Sequence, residues 1–282
     1  MIDIQNIDYY VSLLDEKVAH WGVAKEKSMS DAVLVEHVDG VAVITINRPE
    51  ARNAVNRAVS IGVGEALEEF DARDDLTAAV LTGAGGTFCS GMDLKAFVAG
   101  ENVVHPVRGL AGITSQPPRK PVIAAVEGYA LAGGCEIVLA CDLVVAAENA
   151  KFGIPEVKRG LVAGAGGLLR LPRRIPYSVA MRLALTGEFL TAPDAERYGL
   201  VTEVTAPGEA LAKARELAAL IAANAPMAVA ATKEIIVGAG SWPADEAFTH
   251  QAKIIEPILT SEDAREGATA FAEKRPPVWR NR

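Results

Sequence analysis

The chain has 282 residues, of which 50% are hydrophobic, and its formal net charge at pH 7 is -8. That apolar content is ample for a sizeable core, in one large domain or in one domain with an appendage. The acidic balance argues against a general nucleic-acid binder, which would need a basic surface, but a local patch could still hold an anionic ligand.

The first segment, residues 1–29, differs from the rest of the chain. Apolar residues at Ile4, Ile7, Val11 and Leu14 form a rough helical stripe in a polar background, which is typical of an amphipathic extension. The segment is too acidic for a targeting peptide. Because the chain around Met29 resembles a natural start before the first strand, we expect residues 1–29 to be a dispensable extension or the product of a misassigned start codon.

The pattern after residue 30 predicts an α/β core. Alternating residues predict a hairpin with a two-residue turn at 39–40, followed by further strands and helices. The predicted strands are Ala32–Val38, Val41–Ile46, Ala78–Thr82, Pro121–Val126 and Leu143–Ala147, and the predicted helices are Val55–Phe70 and Gly133 to about Cys141. These repeated strand-turn-helix units predict a core domain over residues 30–205.

The chain becomes almost wholly helical from about residue 177. Four helices are predicted at 209–223, 226–238, 244–258 and 262–274. This change in composition predicts a C-terminal helical region over residues 206–282.

The cysteines number three, Cys89, Cys135 and Cys141. An odd number in a chain of this length indicates a reducing compartment. We expect Cys135 and Cys141, which share one helix, to be small core residues, and the cysteines show no metal-binding spacing. No apolar run approaches the roughly 20 residues of a membrane span, and no secretory signal pattern begins the chain. A cytoplasmic protein is the simplest expectation.

Glu136 is the first candidate for chemistry, because the helix that carries it is otherwise apolar. A carboxylate in such a setting is costly unless it is hydrogen-bonded, protonated or in contact with a substrate. The simpler alternative is an acid stabilised by the helix dipole. Gly133 and Gly134 offer uncovered backbone N–H groups at the start of the same helix, and Glu156 follows the next strand and loop.

A second loop with uncovered backbone lies at Gly91, after the strand and glycine turn that end near residue 86. Two N–H donors that converge on one carbonyl oxygen form an oxyanion hole. Together with two nearby acids, Glu136 and Glu156, the glycine loops suggest enolate chemistry.

Other motifs fail on inspection. The glycines at 83–85 lack the third glycine of a dinucleotide fingerprint, and those at 164–167 lack the Lys-Ser/Thr of a phosphate-binding loop. Ser90 is not in a nucleophile elbow, because Phe88 stands where the first glycine is required. The four histidines are scattered, so acid/base work is left to carboxylates.

Five segments resemble the crotonase, or enoyl-CoA hydratase/isomerase, superfamily, in unbroken order over roughly residues 30–280. They are Asn47–Ala54, Phe88–Lys95, Gly128–Ile137, Phe152–Glu156 and Phe271–Arg275. The resemblance implies a repeated ββα spiral core and C-terminal helices that pack around a threefold axis in a trimer or a dimer of trimers. It implies an acyl-CoA thioester substrate with no metal or redox cofactor, since CoA is part of the substrate.

The resemblance also implies roles for individual residues. The N–H groups of Met92 and Gly133 match the two oxyanion donors, Glu136 matches the acid that activates water, and Glu156 matches the acid that gives a proton to the α-carbon. Residues expected to contact the substrate or CoA are Ser90, Asp93, Leu94, Lys95, Gly134, Phe271 and Lys274. Lys95 is expected near the CoA phosphates, and Phe271 and Lys274 near the adenine, often from a neighbouring subunit.

Two departures from the family pattern bear on the substrate. Ala132 stands where the family often has a third glycine, and Val162-Ala163 replaces a turn that commonly contains proline. The stretches 167–172 and 261–279 resemble the carnitinyl-CoA (crotonobetainyl-CoA) hydratase branch, but they lie mainly in scaffold regions. The acyl group therefore stays open at this point.

Three functions remain. Hydration of a 2-enoyl-CoA is favoured because both acids are present, whereas isomerases in this family usually keep only the acid that matches Glu156. Another crotonase-type reaction, such as double-bond isomerisation or crotonobetainyl-CoA hydration, is the alternative. A non-catalytic CoA-binding or RNA-binding protein is the third, and it has no need of two costly acids.

Overall fold

A computed structural model describes residues 31–282 of the chain. The helical stripe predicted in the first 28 residues, and the extension predicted over residues 1–29, lie outside the described residues. The domain division predicted at residue 205 stays a prediction.

Strands and helices alternate along the described residues. The strands are β1 (Val33–Val38), β2 (Val41–Ile46), β3 (Ala78–Gly83), β4 (Val104–His105), β5 (Gly109–Leu110), β6 (Val122–Val126), β7 (Tyr129–Leu131), β8 (Leu143–Ala147), β9 (Lys151–Gly153), β10 (Leu190–Thr191) and β11 (Glu203–Thr205). The helices are α1 (Arg57–Ala72), α2 (Leu94–Val98), α3 (Gly133–Ala140), α4 (Gly167–Arg174), α5 (Tyr177–Thr186), α6 (Ala192–Arg197), α7 (Ala210–Ala222), α8 (Pro226–Ala239), α9 (Ala247–Leu259) and α10 (Glu262–Glu273). Short 3-10 helices occur at Pro49–Ala51 and Pro155–Arg159.

The largest sheet has six strands in the order β1-β2-β3-β6-β8-β11. The hairpin β1–β2 is antiparallel, as predicted, with Val38 opposite Val41. The other neighbours are parallel, so the chain must cross over between them, and it does so through helices. The predicted α/β class is confirmed.

A second, three-stranded sheet, β10-β9-β7, positions the candidate site. Strands β7 and β9 are parallel, with Leu131 opposite Gly153. A helix begins soon after the end of each strand: α3 begins at Gly133 after β7, and the 3-10 helix begins at Pro155 after β9. Because parallel strands end at the same edge of a sheet, the starts of these two helices are neighbours.

Apolar residues pack on both faces of the large sheet. One extensive cluster contains Ile44, Phe70, Leu81 and Ile137, all without exposed surface. On the other face, Ala210, Ala214 and Ala218 of α7 pack on the strands. The four-residue spacing places these small side chains on one side of α7, which lets the helix approach the sheet closely.

The expectation of an almost wholly helical chain from residue 177 is wrong at two places, because β10 and β11 lie within it. Strand β11 is three residues long and pairs in parallel with β8 through Glu203 and Val145. A segment this short carries no readable periodicity, and its strand conformation depends on a partner about 60 residues away. The four C-terminal helices are confirmed within a few residues.

Within residues 31–282, no single helix has both the length and the apolar character needed to cross a membrane. Helices α7 and α8 meet those requirements only as a pair, which is bent by 106°.

An ion pair joins α8 to the large sheet. The Asp142 Oδ2 atom accepts hydrogen bonds from Lys233 Nζ at 2.6 Å and from Val122 N at 2.8 Å. Lys233 Nζ also donates to the Lys120 carbonyl at 3.0 Å. The side chains of Lys233 and Asp142 are only 12% and 25% exposed, so each depends on the other for the solvation it has lost.

We predict that Asp142→Ala lowers the free energy of unfolding by about 2–3 kcal/mol, somewhat below the cost of breaking a fully buried pair, because some solvent reaches this one. The exposed pair of Arg182 and Glu188 provides the control, and Glu188→Ala should cost less than about 1 kcal/mol. Urea unfolding of both variants measures the difference. Equal losses would show that Asp142 is not a structural tie.

Candidate active site

Three backbone segments lie side by side at the site. Strand β7 has β9 on one side and the segment around Cys89 on the other. The Cys89 N–H donates to the Tyr129 carbonyl at 2.9 Å, and the Leu131 N–H donates to the Cys89 carbonyl at 3.0 Å. The residues that follow these segments, Met92, Gly133 and Glu156, are therefore brought together from distant parts of the sequence.

The two N–H groups predicted to form an oxyanion hole are neighbours. A Cβ atom built on Gly91 would lie 3.2 Å from Gly133 N, and one built on Gly133 would lie 3.4 Å from Met92 N. Within residues 31–282, neither the Met92 N–H nor the Gly133 N–H donates a hydrogen bond. The Gly91 N–H faces away and donates to Cys89 Sγ at 3.4 Å. Two unused donors, of which Gly133 stands at the start of α3, provide a place for an anionic oxygen.

Ala132 has an unusual backbone conformation at the start of α3. Its φ is 50° and its ψ is -126°, a region that glycine normally occupies. A non-glycine residue in such a region costs about 1–3 kcal/mol. Its N–H donates to the Gly153 carbonyl at 2.8 Å, so the turn that leads to the free Gly133 N–H is tied to β9.

Glu136 is 3% exposed, in a helix whose eight residues are all buried. Its Oε1 atom accepts hydrogen bonds from the backbone N–H groups of Ala165 at 2.7 Å and Gly167 at 2.8 Å. Burial raises the pKa of Glu136, although these two hydrogen bonds and the charge of Arg170 lower it. The prediction that Glu136 lies in an apolar setting is confirmed. Both hydrogen bonds to its carboxyl come from residues outside α3.

Glu156 lies in the 3-10 helix that follows β9. Its Oε2 atom is buried and has no hydrogen-bond partner among the described residues. Burial raises the pKa of Glu156, and the nearby charge of Glu136 raises it further. A negative charge on Glu136 therefore makes the ionisation of Glu156 less favourable.

The residues after Gly91 have mixed roles. The Asp93 Oδ1 atom accepts from the N–H groups of Lys95 and Ala96, which caps α2, and Oδ2 pairs with Arg48 Nη2 at 3.0 Å. Leu94 and Lys95 are exposed, and Ser90 is half-buried with its N–H bonded to the Arg52 carbonyl.

Gly134 and the two C-terminal residues, Phe271 and Lys274, have different surroundings from the free amides. A Cβ on Gly134 would overlap the Cys89 carbonyl oxygen, which gives this glycine a packing role. Phe271, which is 87% exposed, and Lys274 lie at the end of α10, a helix that packs mainly on α9. The CoA contacts expected of these residues stay predictions.

The cysteines are unsuited to nucleophilic work. Cys89, Cys135 and Cys141 are buried free thiols, as expected for Cys135 and Cys141, and burial raises the pKa of each to about 12. No group of three potential metal-ligating side chains occurs within residues 31–282.

Two features of the site escaped sequence analysis. The glycines at 164–167 were considered only as a phosphate-binding loop, yet Ala165 and Gly167 supply the donors to Glu136. Arg170 was not singled out at all. The sequence signal for the donors was the glycine-rich segment 164–167, just before α4. Backbone N–H groups at the start of a helix have no partner within the helix and can donate to a nearby acid.

Fold and site together define an α/β protein that sets two free backbone amides beside one buried and one half-buried carboxyl. The family model described as enoyl-CoA hydratase/isomerase matches residues 36–282. A carnitinyl-CoA dehydratase from Salmonella typhi is 41% identical over 262 residues, which cover 90% of this chain and 100% of that protein.

Solved structures agree. A probable enoyl-CoA hydratase/isomerase from Mycobacterium abscessus is 64% identical with a TM-score of 0.87, and a carnitinyl-CoA hydratase from Mycobacterium avium is 49% identical with a TM-score of 0.72. The matches cover 90% of this chain and 100% of each of those chains.

The chain belongs to the enoyl-CoA hydratase/isomerase, or crotonase, family. The predicted resemblance, fold and hydro-lyase type of enzyme are confirmed at this level. The family implies an acyl-CoA thioester as substrate.

We predict that Glu156→Gln stabilises the protein at pH 8 and has little effect near pH 4. Because the folded-state pKa of Glu156 is raised, the wild-type carboxyl is favourable below the unfolded pKa of about 4.3, and this contribution is lost as pH rises through the folded pKa. Glutamine stays neutral throughout. Thermal unfolding across this pH range measures the effect, with the exposed Glu65→Gln as control. A loss of stability at pH 8 would contradict the burial argument.

Proposed function

We propose that the protein is an enoyl-CoA hydratase, which reversibly adds water across the α,β-double bond of a 2-enoyl-CoA thioester. The observation that carries the proposal is the pair of carboxyls formed by buried Glu136 and half-buried Glu156, each with a raised pKa, beside two unused backbone N–H groups. An isomerase needs one acid to move a proton. Addition of water needs one group for the water and one for the carbon, which two carboxyls provide.

The Met92 and Gly133 N–H groups would receive the thioester carbonyl oxygen. Negative charge grows on that oxygen as the enolate forms, and the start of α3 adds the positive end of a helix dipole. Loss of one such donor typically costs about 3 kcal/mol of transition-state stabilisation. Because both donors belong to the backbone, their positions depend on Gly91 and Ala132.

The carboxyls would divide the proton transfers. The Glu136 carboxylate takes a proton from water as the water oxygen bonds to the β-carbon, and the π electrons move to give the enolate. Protonated Glu156 then gives its proton to the α-carbon as the carbonyl re-forms. The raised pKa of Glu156 favours the protonated form that this step requires, and the hydrogen bonds to Glu136 favour its carboxylate. The next turnover needs one proton to pass from Glu136 to Glu156.

The relatives leave two acyl groups in view. Their names describe enoyl-CoA and carnitinyl-CoA enzymes, so crotonobetainyl-CoA is the second candidate substrate. The proposed steps need no metal or redox cofactor, since the CoA thioester itself stabilises the enolate. The Lys95 ammonium is a candidate contact for the CoA phosphates. We also propose a cytoplasmic location, from the three free cysteines.

The exposed C-terminal helices support a homotrimer or a dimer of trimers. Helix α9 has no buried residue, and its Phe248 and Leu259 are 82% and 72% exposed. A groove on this helix is lined by Phe248, Gln251, Ala252, Ile255, Glu256, Leu259 and Thr260. Large apolar surface on a helix is typical of a subunit interface. Phe271 and Lys274 would then reach CoA held by a neighbouring subunit.

We predict that the purified protein rapidly removes the absorbance of the conjugated thioester in crotonyl-CoA, crotonobetainyl-CoA or a longer enoyl-CoA. Glu136→Gln should lower kcat by about 10²-fold or more, because general base catalysis is lost. Glu65→Gln serves as the exposed control. Comparing the three substrates ranks the acyl groups. Tight CoA binding without any loss of absorbance would favour isomerisation or a non-catalytic binding protein.

We predict a solution mass of three or six chains by light scattering. Phe248→Glu should lower that mass, because it places a charge in the proposed interface. Leu34→Glu is the control, since Leu34 is also exposed but lies on β1. A wild-type protein of single-chain mass at micromolar concentration would contradict the proposed assembly.

A further inference from the structure

Arg170 lies behind the loop that holds Glu136. It is half-buried on α4, and its Nη2 atom donates to the Thr114 carbonyl at 2.7 Å. A Cβ atom built on Gly166 would overlap Arg170 Nη1, so the guanidinium folds back across this glycine. Gly166 has a φ of 94°, a conformation that glycine adopts without strain.

The position of the guanidinium links it to Glu136. Gly166 stands between Ala165 and Gly167, and these two residues donate both hydrogen bonds to Glu136 Oε1. The guanidinium of Arg170 thus lies against the loop that fixes the carboxyl. The charge of Glu136 in turn acts on Arg170, which shows that the two groups influence each other.

The carbonyl that Arg170 contacts belongs to a turn that packs on Gly133. Thr114 closes a turn in which its N–H and that of Ile113 both bond to the Leu110 carbonyl. The Leu110 side chain packs against Gly133, where a Cβ would overlap Leu110 Cδ2. Arg170 therefore joins the loop that holds the carboxyl to the segment that covers the candidate oxyanion donor.

The other titratable groups near the two carboxyls do not replace the positive charge of Arg170. Glu156 faces Glu136 from the 3-10 helix and carries the opposite sign to Arg170, while Arg159 acts on Glu156. Cys135, beside Glu136 on α3, is a neutral thiol because burial raises its pKa to about 12. Arg173 lies on α4 but is exposed.

We infer that Arg170 is a positioning residue for the reaction: it clamps the 164–167 loop to the 110–114 turn and keeps the Glu136 carboxyl ionised as the base for water. This inference rests on the proposed hydratase function. A guanidinium suits the position because it keeps its charge when partly buried and can hold a carbonyl with one N–H while it faces a carboxylate. Removal of the charge should leave Glu136 protonated over a wider range of pH.

Removal of the Arg170 charge should change how kcat/KM depends on pH. Hydration needs ionised Glu136, so kcat/KM falls on the acidic side as Glu136 gains a proton. Loss of the Arg170 charge removes one of the effects that lower the pKa of Glu136, so the acidic limb should move to higher pH. A purely structural role for Arg170 would lower the rate without moving the limb.

The test compares kcat/KM for enoyl-CoA hydration across pH in wild-type, Arg170→Gln, Arg170→Lys and Arg173→Gln proteins. Arg170→Gln should move the acidic limb to higher pH and lower kcat more than it changes KM. Arg170→Lys keeps the charge and should keep the limb close to its wild-type position. Arg173→Gln removes a charge from the same helix at an exposed position and should leave the profile unchanged.

Circular dichroism checks each fold, and Arg170→Met, which keeps an unbranched apolar stem, replaces the glutamine variant if that one does not fold. An acidic limb in the charge-removing variant that coincides with wild type and Arg173→Gln would overturn the inference while leaving the hydratase proposal intact. A wild-type protein that hydrates none of the enoyl-CoA substrates would instead overturn the hydratase proposal.

Discussion

A buried carboxyl held by two backbone N–H groups is the constraint on which the candidate site depends. Burial of the Glu136 carboxyl is costly unless hydrogen bonds replace those it made to water. The N–H groups of Ala165 and Gly167, which lie outside its own helix, provide these hydrogen bonds. A Cβ on Gly167 would lie 2.9 Å from Glu136 Cγ, so this close approach requires a glycine. The buried Glu136 therefore requires the donors of the 164–167 loop, and the loop requires glycine at position 167 to approach Glu136.

The parallel strands explain why the site lies where it does. Strands β7 and β9 end at the same edge of their sheet, and the Cys89 segment runs beside β7. The residues that follow these three segments, Met92, Gly133 and Glu156, therefore lie close together. Such a meeting point at the ends of parallel strands is a general location for ligand sites in α/β proteins. The strained conformation of Ala132 belongs to the same arrangement, since it directs the chain from β7 into α3.

Much of this arrangement could be predicted from the sequence, because local patterns determined it. Strand β8 and the start of α3 were predicted at the observed residues, since a β-branched run and a glycine pair are local signals. The neighbourhood of Met92 and Gly133 was inferred from two glycine loops and a family resemblance.

The unpredicted parts depend on distant contacts. Strand β11 is defined by pairing with β8, and the partners of Glu136 come from about 30 residues further along the chain. Arg170 carries no local signal, because its contact with Thr114 joins residues 56 positions apart. Ala132 shows the reverse case: the sequence revealed a departure from the family pattern, and the structure shows that an alanine occupies a glycine-like conformation there.

The central claim is that both carboxyls act in one addition of water through an enolate. Mass spectrometry of the product formed from crotonyl-CoA in ¹⁸O-labelled heavy water tests it most directly. The account predicts one ¹⁸O on the β-carbon and deuterium on the α-carbon of the same product molecule. Deuterium in recovered or isomerised enoyl-CoA, with no ¹⁸O incorporated, would contradict it and show that the site moves protons without adding water.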